Sequence, residues 1–179
     1  MLSAQQLSVG VRGGAARTFH TGPDADPNGQ YRWAGVGGLF LDLGLGENWH
    51  IQNDVHWARK GYQNDTSRLS LDYAVWSPTL SYLFSGFDGE TLRGRLLGGL
   101  YGGRLLDWQR TNADFNEVFQ PWDYGIVWGG GLTFDLYRRY FHHYIHLDLR
   151  GYIGARSVYT QGAQVRNVVW QLTVGYAIP

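Results

Sequence analysis

The 179-residue sequence contains no cysteine, so it has no disulfide framework, no thiolate nucleophile and no cysteine-based metal site. It has only 5 prolines, and no apolar run reaches the roughly 18 residues that a transmembrane helix needs. Lysine plus arginine and aspartate plus glutamate each number 15, which leaves no net charge. Nucleic-acid-binding surfaces are basic, so this balance argues against nucleic acid as a partner.

Glycine and aromatic residues are abundant, with 26 glycines, 8 tryptophans, 12 tyrosines and 8 phenylalanines. Aromatic residues favour strands, whereas disordered chains are poor in them. Together with the scarcity of proline, this composition favours a protein built from long strands.

Residues 49–62 show the clearest strand pattern. The odd positions are mainly apolar, and the even positions are mainly polar: Trp49, Ile51, Asn53, Val55 and Trp57 against His50, Gln52, Asp54, His56, Ala58 and Lys60. Such alternation over ten or more residues predicts a strand with one apolar face. Strands in soluble proteins average five or six residues, whereas this length suits a tilted strand that crosses a bilayer.

The same design recurs along the chain. We predict strands at residues 6–19, 33–45, 49–62, 69–84, 92–108, 122–136, 144–157 and 165–178. Their connections alternate between long and short, which is the asymmetry of outer-membrane barrels. The predicted fold is all-β: one domain over residues 1–179, an eight-stranded antiparallel up-and-down transmembrane β-barrel.

Two strands have irregular patterns. In the fourth, the apolar phase changes between the set Leu69, Leu71, Tyr73, Val75 and the set Leu80, Tyr82, Phe84. We therefore predict a bulge at residues 76–78, where a proline does least harm to the ladder. The fifth strand carries leucines in both phases, which leaves its facing open.

Alternation alone does not decide which face points inward, because a soluble barrel such as a lipocalin places its apolar face inside. Here the apolar face carries aromatic residues near strand ends, as a membrane girdle requires. We therefore predict that the apolar face meets lipid and that the polar face fills the lumen. Inward charges need partners, so we expect a polar network in the lumen formed by His50, Asp54, His56, Lys60, Asp123, His146, Asp148 and Arg150.

Five segments resemble the small PorT-like outer-membrane β-barrel proteins of Bacteroidota. Residues 51–62 are similar to that family's strand ending in an aromatic, a small residue and Lys-Gly, and 72–78 to its Tyr-Leu-Glu-Ile-Pro strand. In 72–78 an extra residue precedes the proline, and the glutamate is lacking. Residues 98–103 resemble its glycine-rich fifth strand, 123–131 its Asp-aromatic-Gly segment, and 169–176 its closing strand.

The resemblance covers nearly the whole chain and implies an eight-stranded barrel in the bacterial outer membrane, in contact with outer-membrane lipid. The family has no shared catalytic residues to carry over, and some relatives take part in gliding and type IX secretion. We expect an exported, non-enzymatic protein without a cofactor, a structural or interaction subunit whose partners are other outer-membrane or secreted proteins. The alternatives are a small-solute pore or ligand-binding barrel and a lipid-modifying enzyme.

Two groups of residues could carry chemistry. His142, His143 and His146 lie close to Asp148, but His143 and His146 face opposite sides of a strand, so no metal site is predicted. An acyl hydrolase needs a serine, a histidine and an acid within hydrogen-bond reach. Ser70 and Ser77 lie on the strand beside His56, in a register that the sequence does not fix.

Residues 107–121 form the longest predicted loop and contain several apolar side chains. We identify Trp108, Phe115 and Phe119 as candidate partner contacts, because aromatic residues within a polar rim are typical of interfaces. The alternative is that this loop folds over the barrel mouth as a lid.

Overall fold

The computed structural model describes residues 6–25, 29–61, 63, 68–85, 91–111, 119–138, 141–160 and 164–179, without the side chains of 85, 110, 111, 137, 138, 141 and 142. These residues form eight strands: β1 (Leu7–Thr21), β2 (Arg32–Gly44), β3 (Trp49–Lys60), β4 (Arg68–Ser85), β5 (Leu92–Thr111), β6 (Trp122–Arg138), β7 (Phe141–Gly154) and β8 (Arg166–Ile178). Across the described ranges we find no helix with the length and apolar character needed to cross a membrane.

Each strand pairs antiparallel with its sequence neighbour, and β1 pairs with β8, which closes the barrel. The predicted fold is confirmed. The connections after β2, β4 and β6, the start of β1 and the end of β8 lie at one end of the barrel, called here the short-connection end. The longer connections after β1, β3, β5 and β7 lie at the other end, called here the long-connection end.

The outer surface of the barrel is apolar. Leu39, Leu96 and Leu149 are half or more exposed in the middle of their strands. Exposed aromatic residues lie towards both ends of the barrel: Trp49, Tyr82 and Tyr176 at the short-connection end, and Trp33, Trp122 and Tyr124 at the long-connection end. Such a surface lowers its free energy in contact with acyl chains, with the amphipathic rings at the headgroups.

The bulge that we predicted at residues 76–78 of β4 is wrong. Odd positions point inward along the whole strand, and its register with β5 is continuous across Trp76 and Thr79. The irregularity lies instead between Asp72 and Tyr73, where β5 contributes Leu106 as an extra residue. The apolar residues in the first half of β4 face inward because this half of the lumen is itself apolar.

Strand β5 runs to Thr111, so the first residues of the predicted loop 107–121 belong to a strand. The sequence pattern left open which side chains of β5 point inward. In the structure Leu97 and Tyr101 are inside and Leu96 and Leu100 are outside. Strand β7 ends at Gly154 rather than at 157. Arg156 therefore lies beyond the strand and is exposed.

A glycine leaves space for the ring of Phe40 inside the lumen. Gly10 pairs with Phe40 across β1 and β2, and Phe40 is almost fully buried. A Cβ atom at Gly10 would lie 2.4 Å from the Phe40 ring and 2.6 Å from the Tyr176 carbonyl oxygen. A side chain at position 10 would therefore displace the ring or part the strands.

We expect the protein to require detergent, because its outer surface is a continuous apolar belt. In SDS gels the unheated protein should migrate differently from the boiled protein, since the closed ladder of hydrogen bonds has no free edge from which to unravel. Size-exclusion chromatography with and without detergent checks the first point. A monodisperse monomer without detergent would contradict the membrane interpretation.

Candidate functional site

The middle of the lumen holds a cluster of three arginines and three aspartates, called here the charge cluster. Arg150 is fully buried, and its two terminal nitrogens lie 2.8 Å from Asp54 Oδ2 and 2.9 Å from Asp148 Oδ2. Arg12 lies 3.0 Å from Asp54 Oδ1 and 3.4 Å from Asp148 Oδ2. These pairs connect β1, β3 and β7, so they join walls of the barrel that share no backbone ladder.

Arg95 extends the charge cluster towards the short-connection end. Its Nη2 lies 3.5 Å from Asp148 Oδ2, and its Nη1 lies 3.9 Å from Asp42 Oδ2. Arg95 also donates to Gln52, and Gln52 donates to Asp54 Oδ1 at 3.1 Å. Each charge therefore faces at least one opposite charge, which offsets the cost of removing it from water.

A separate polar site lies nearer the long-connection end. Lys60 Nζ lies 2.7 Å from Asp123 Oδ2, and the Asn167 amide donates to the same oxygen at 3.0 Å. The rings of Tyr73 and Tyr101 lie 5.0 and 4.5 Å from the Lys60 ammonium. One carboxylate and two ring faces therefore surround the charge of this lysine.

The lumen histidines do not form a relay. His50 bonds Asp42 at 2.7 Å, and His146 Nδ1 lies 3.0 Å from the Thr133 hydroxyl and 3.3 Å from Arg95. His56 packs edge-on against Tyr152, and neither of its ring nitrogens has a hydrogen-bond partner among the described residues. His50, Asp54, His56 and Lys60 therefore share the inward face of β3 but contact different groups.

The serines do not meet the histidine as a hydrolase requires. Ser77 lies beside Asp54 in the register and is fully buried, yet its hydroxyl bonds to no described residue, His56 included. Ser70 accepts a hydrogen bond from Arg32 instead. Neither serine therefore has the bond to His56 that activation as a nucleophile requires.

The histidines near β7 do not converge on a metal. His143 contacts Tyr176 on the outer surface, whereas His146 points into the lumen. The His142 side chain is outside the described residues. No group of three or more potential metal ligands occurs in the part of the chain that the structure describes.

The long-connection end of the lumen is closed by apolar packing. Phe119 is 7% exposed, belongs to the apolar core and pairs by a backbone bridge with Tyr159. The Gln120 amide donates to the Val158 carbonyl at 2.8 Å, which joins the segment before β6 to the one after β7. Residues 119–120 therefore pack at this end of the barrel, whereas residues 112–118 of the predicted loop lie outside the described residues.

The candidate partner contacts Trp108 and Phe119 differ in their exposure. Phe119 is buried, so it is not available to a partner. Trp108 lies in β5, is 51% exposed and packs on Phe119 with ring centroids 5.2 Å apart. Phe115 is outside the described residues.

The sequence prediction placed Asp54, Asp148 and Arg150 in the lumen but omitted three members of the charge cluster. Arg12 and Asp42 follow the inward phase of their strands, so alternation places them on the polar face, although the predicted network did not include them. Arg95 lies on β5, whose leucines in both phases hid its direction.

Three solved structures that are similar to this chain are small outer-membrane β-barrels. The N-terminal β-barrel domain of Pseudomonas aeruginosa OprF matches with a TM-score of 0.53 and 15% identity over 97% of this chain and 98% of that one. Neisserial surface protein A matches with a TM-score of 0.52 and 12% identity over 95% and 96%. Yersinia pestis Ail, solved in complex with the heparin analogue sucrose octasulfate, matches with a TM-score of 0.50 and 12% identity over 96% and 99%.

This chain has the fold of the eight-stranded outer-membrane β-barrels. No family model and no curated protein matches the sequence. At these identities the similarity establishes the fold, and function has to be argued from the chain's own residues.

We expect Arg150→Met to destabilise the barrel strongly, because it leaves Asp54 and Asp148 with less positive charge in a buried site. Breaking a buried pair by removing one partner typically costs about 3–5 kcal/mol of unfolding free energy. Urea-dependent unfolding in micelles, followed by tryptophan fluorescence and gel migration, measures this loss.

The matched control is Arg104→Met, which removes an exposed arginine from the outer surface. It should change the unfolding free energy by no more than about 0.5 kcal/mol. Equal stability of the two variants would show that the charge cluster does not stabilise the barrel.

Proposed function

We propose that this chain is a non-enzymatic outer-membrane protein that acts as a structural or interaction subunit of an outer-membrane complex. The observation that carries the proposal is the filled lumen. Charged pairs occupy its middle and apolar packing closes its long-connection end, so the surfaces left for a role are the lipid belt and the two ends. We infer export to the outer membrane from the same belt.

Neither Ser70 nor Ser77 bonds His56, which supports a non-enzymatic role. We also retain, as a proposal, the relationship to the PorT-like family, which would make secretion or gliding the pathway of the complex. In that role the partners are outer-membrane lipid and other outer-membrane or secreted proteins.

We expect the purified barrel to show no steady large conductance in planar bilayers. Eight strands leave an interior only wide enough for side chains, and the charge cluster occupies that width. Single-channel recording across a range of voltages checks this. A stable open state would favour the alternative of a small-solute pore.

A second experiment tests the interaction role. Purification from native membranes in mild detergent should retain partner proteins, which mass spectrometry identifies. Trp108→Ser should weaken their retention, because it removes the exposed aromatic residue of the candidate contact at the long-connection end while the rest of β5 stays paired.

Trp49→Ser is the matched control, because Trp49 is also an exposed ring packed on a neighbouring ring, Tyr82, but lies at the opposite end. It should retain the partners. If both variants retain them equally, Trp108 is not a contact. If the native protein migrates alone, the proposed complex is wrong.

A further inference from the structure

A cavity of about 350 Å³ lies inside the short-connection end of the barrel. The turn at residues 46–47 forms part of its rim, and Arg95 and His146 line its deeper part beside the charge cluster. Phe40 packs edge-on against His146 and over Arg12, which separates the cavity from the middle of the lumen. A volume of this size falls within the range of small-molecule sites in proteins.

The charges that line this cavity are divided between two walls. Asp42 on β2 and Glu47 in the turn after it are acidic, whereas Arg93 and Arg95 on β5 are basic. Strands β2 and β5 are not neighbours in the closed barrel, because β3 and β4 lie between them. The deeper charges are already paired, because Asp42 lies 3.9 Å from Arg95 and bonds His50 at 2.7 Å. The more exposed charges are Glu47 on one side and Arg93 on the other.

The positive wall also carries uncharged hydrogen-bonding groups. Thr133 and Tyr144 line the cavity with hydroxyls from β6 and β7. Arg93 pairs with Asp135 at 2.9 Å where both side chains are partly exposed, and its Nε–H has no acceptor among the described residues. The Nε–H of Arg95 is buried and has no acceptor among the described residues. This wall therefore has unused capacity to bind a carboxylate.

We propose that this cavity is a binding site for a small α-amino carboxylate zwitterion, a free amino acid or a short peptide. The ligand's carboxylate would lie against Arg93 and the Nε–H of Arg95, and its ammonium group against Glu47. An ion of one sign would gain on one wall and lose on the other, whereas a zwitterion is attracted by both. The site is independent of the proposed interaction role, which concerns the opposite end.

The test uses the whole barrel in detergent micelles with L-alanyl-L-alanine as the probe. Amide resonances of Gly46 and Glu47 should shift saturably, with a dissociation constant of about 5 mM or tighter, as a ligand of this size can reach. N-acetyl-L-alanine lacks the ammonium group and L-alaninamide lacks the carboxylate, so both should bind more weakly. Free L-alanine distinguishes an amino-acid site from a peptide site by its relative affinity.

Two variants test which wall of the cavity binds which charged group of the ligand. Glu47→Gln should weaken dialanine about two- to fivefold, the effect of losing one exposed charge pair, and leave N-acetylalanine unchanged. Arg93→Gln should weaken dialanine and N-acetylalanine to the same extent but leave alaninamide unchanged. Glu47 is exposed in a turn and Arg93 is partly exposed, so neither change removes a member of the charge cluster.

Arg156→Gln and Asp107→Asn are the matched controls, because they remove exposed charges at the long-connection end. Both should bind dialanine as the parent protein does. Absence of saturation at about ten times the expected dissociation constant would overturn the proposal, as would equal affinity for dialanine, N-acetylalanine and alaninamide. Because the readout is ligand binding, its failure leaves the co-purification result unaffected.

Discussion

Charges inside a closed eight-stranded barrel must find opposite charges within reach, and the rest of this structure depends on that constraint. The interior is too narrow for bulk water to solvate them, so an unpaired charge would be costly. The charge cluster meets the constraint with side chains from five strands, and its pairs between β1, β3 and β7 join strands that share no hydrogen-bond ladder. The same pairs that stabilise opposite walls also fill the lumen, so stability and the lack of a pore have one cause.

Along its axis the lumen changes character. The rings of Tyr73, Tyr101, Tyr152 and Phe119 pack together in the part nearer the long-connection end. The charge cluster occupies the middle, and the polar cavity lies at the short-connection end. A barrel closed at one end and concave at the other presents different chemistry to the two sides of a membrane. This asymmetry is why we place a protein contact at one end and a small ligand at the other.

The similar barrels share only 12–15% of their residues with this chain, yet nearly the whole length aligns. Such tolerance of sequence differences is expected, because the fold requires alternation of apolar and polar residues and closure of the sheet rather than particular side chains. It also explains why the fold alone names no function. The distinguishing information lies in the side chains of the lumen and of the barrel ends.

The sequence by itself determined the strand number, the antiparallel order and the apolar outer face, because these follow from a period of two and from connection lengths. Only the tertiary structure decided which charges pair, since Arg12 meets Asp54 and Lys60 meets Asp123 across the lumen. It also decided that the apolar half of β4 points inward and that Phe119 is buried. Those contacts depend on how the closed sheet curves and on its register, which join residues distant in the chain and leave no local pattern.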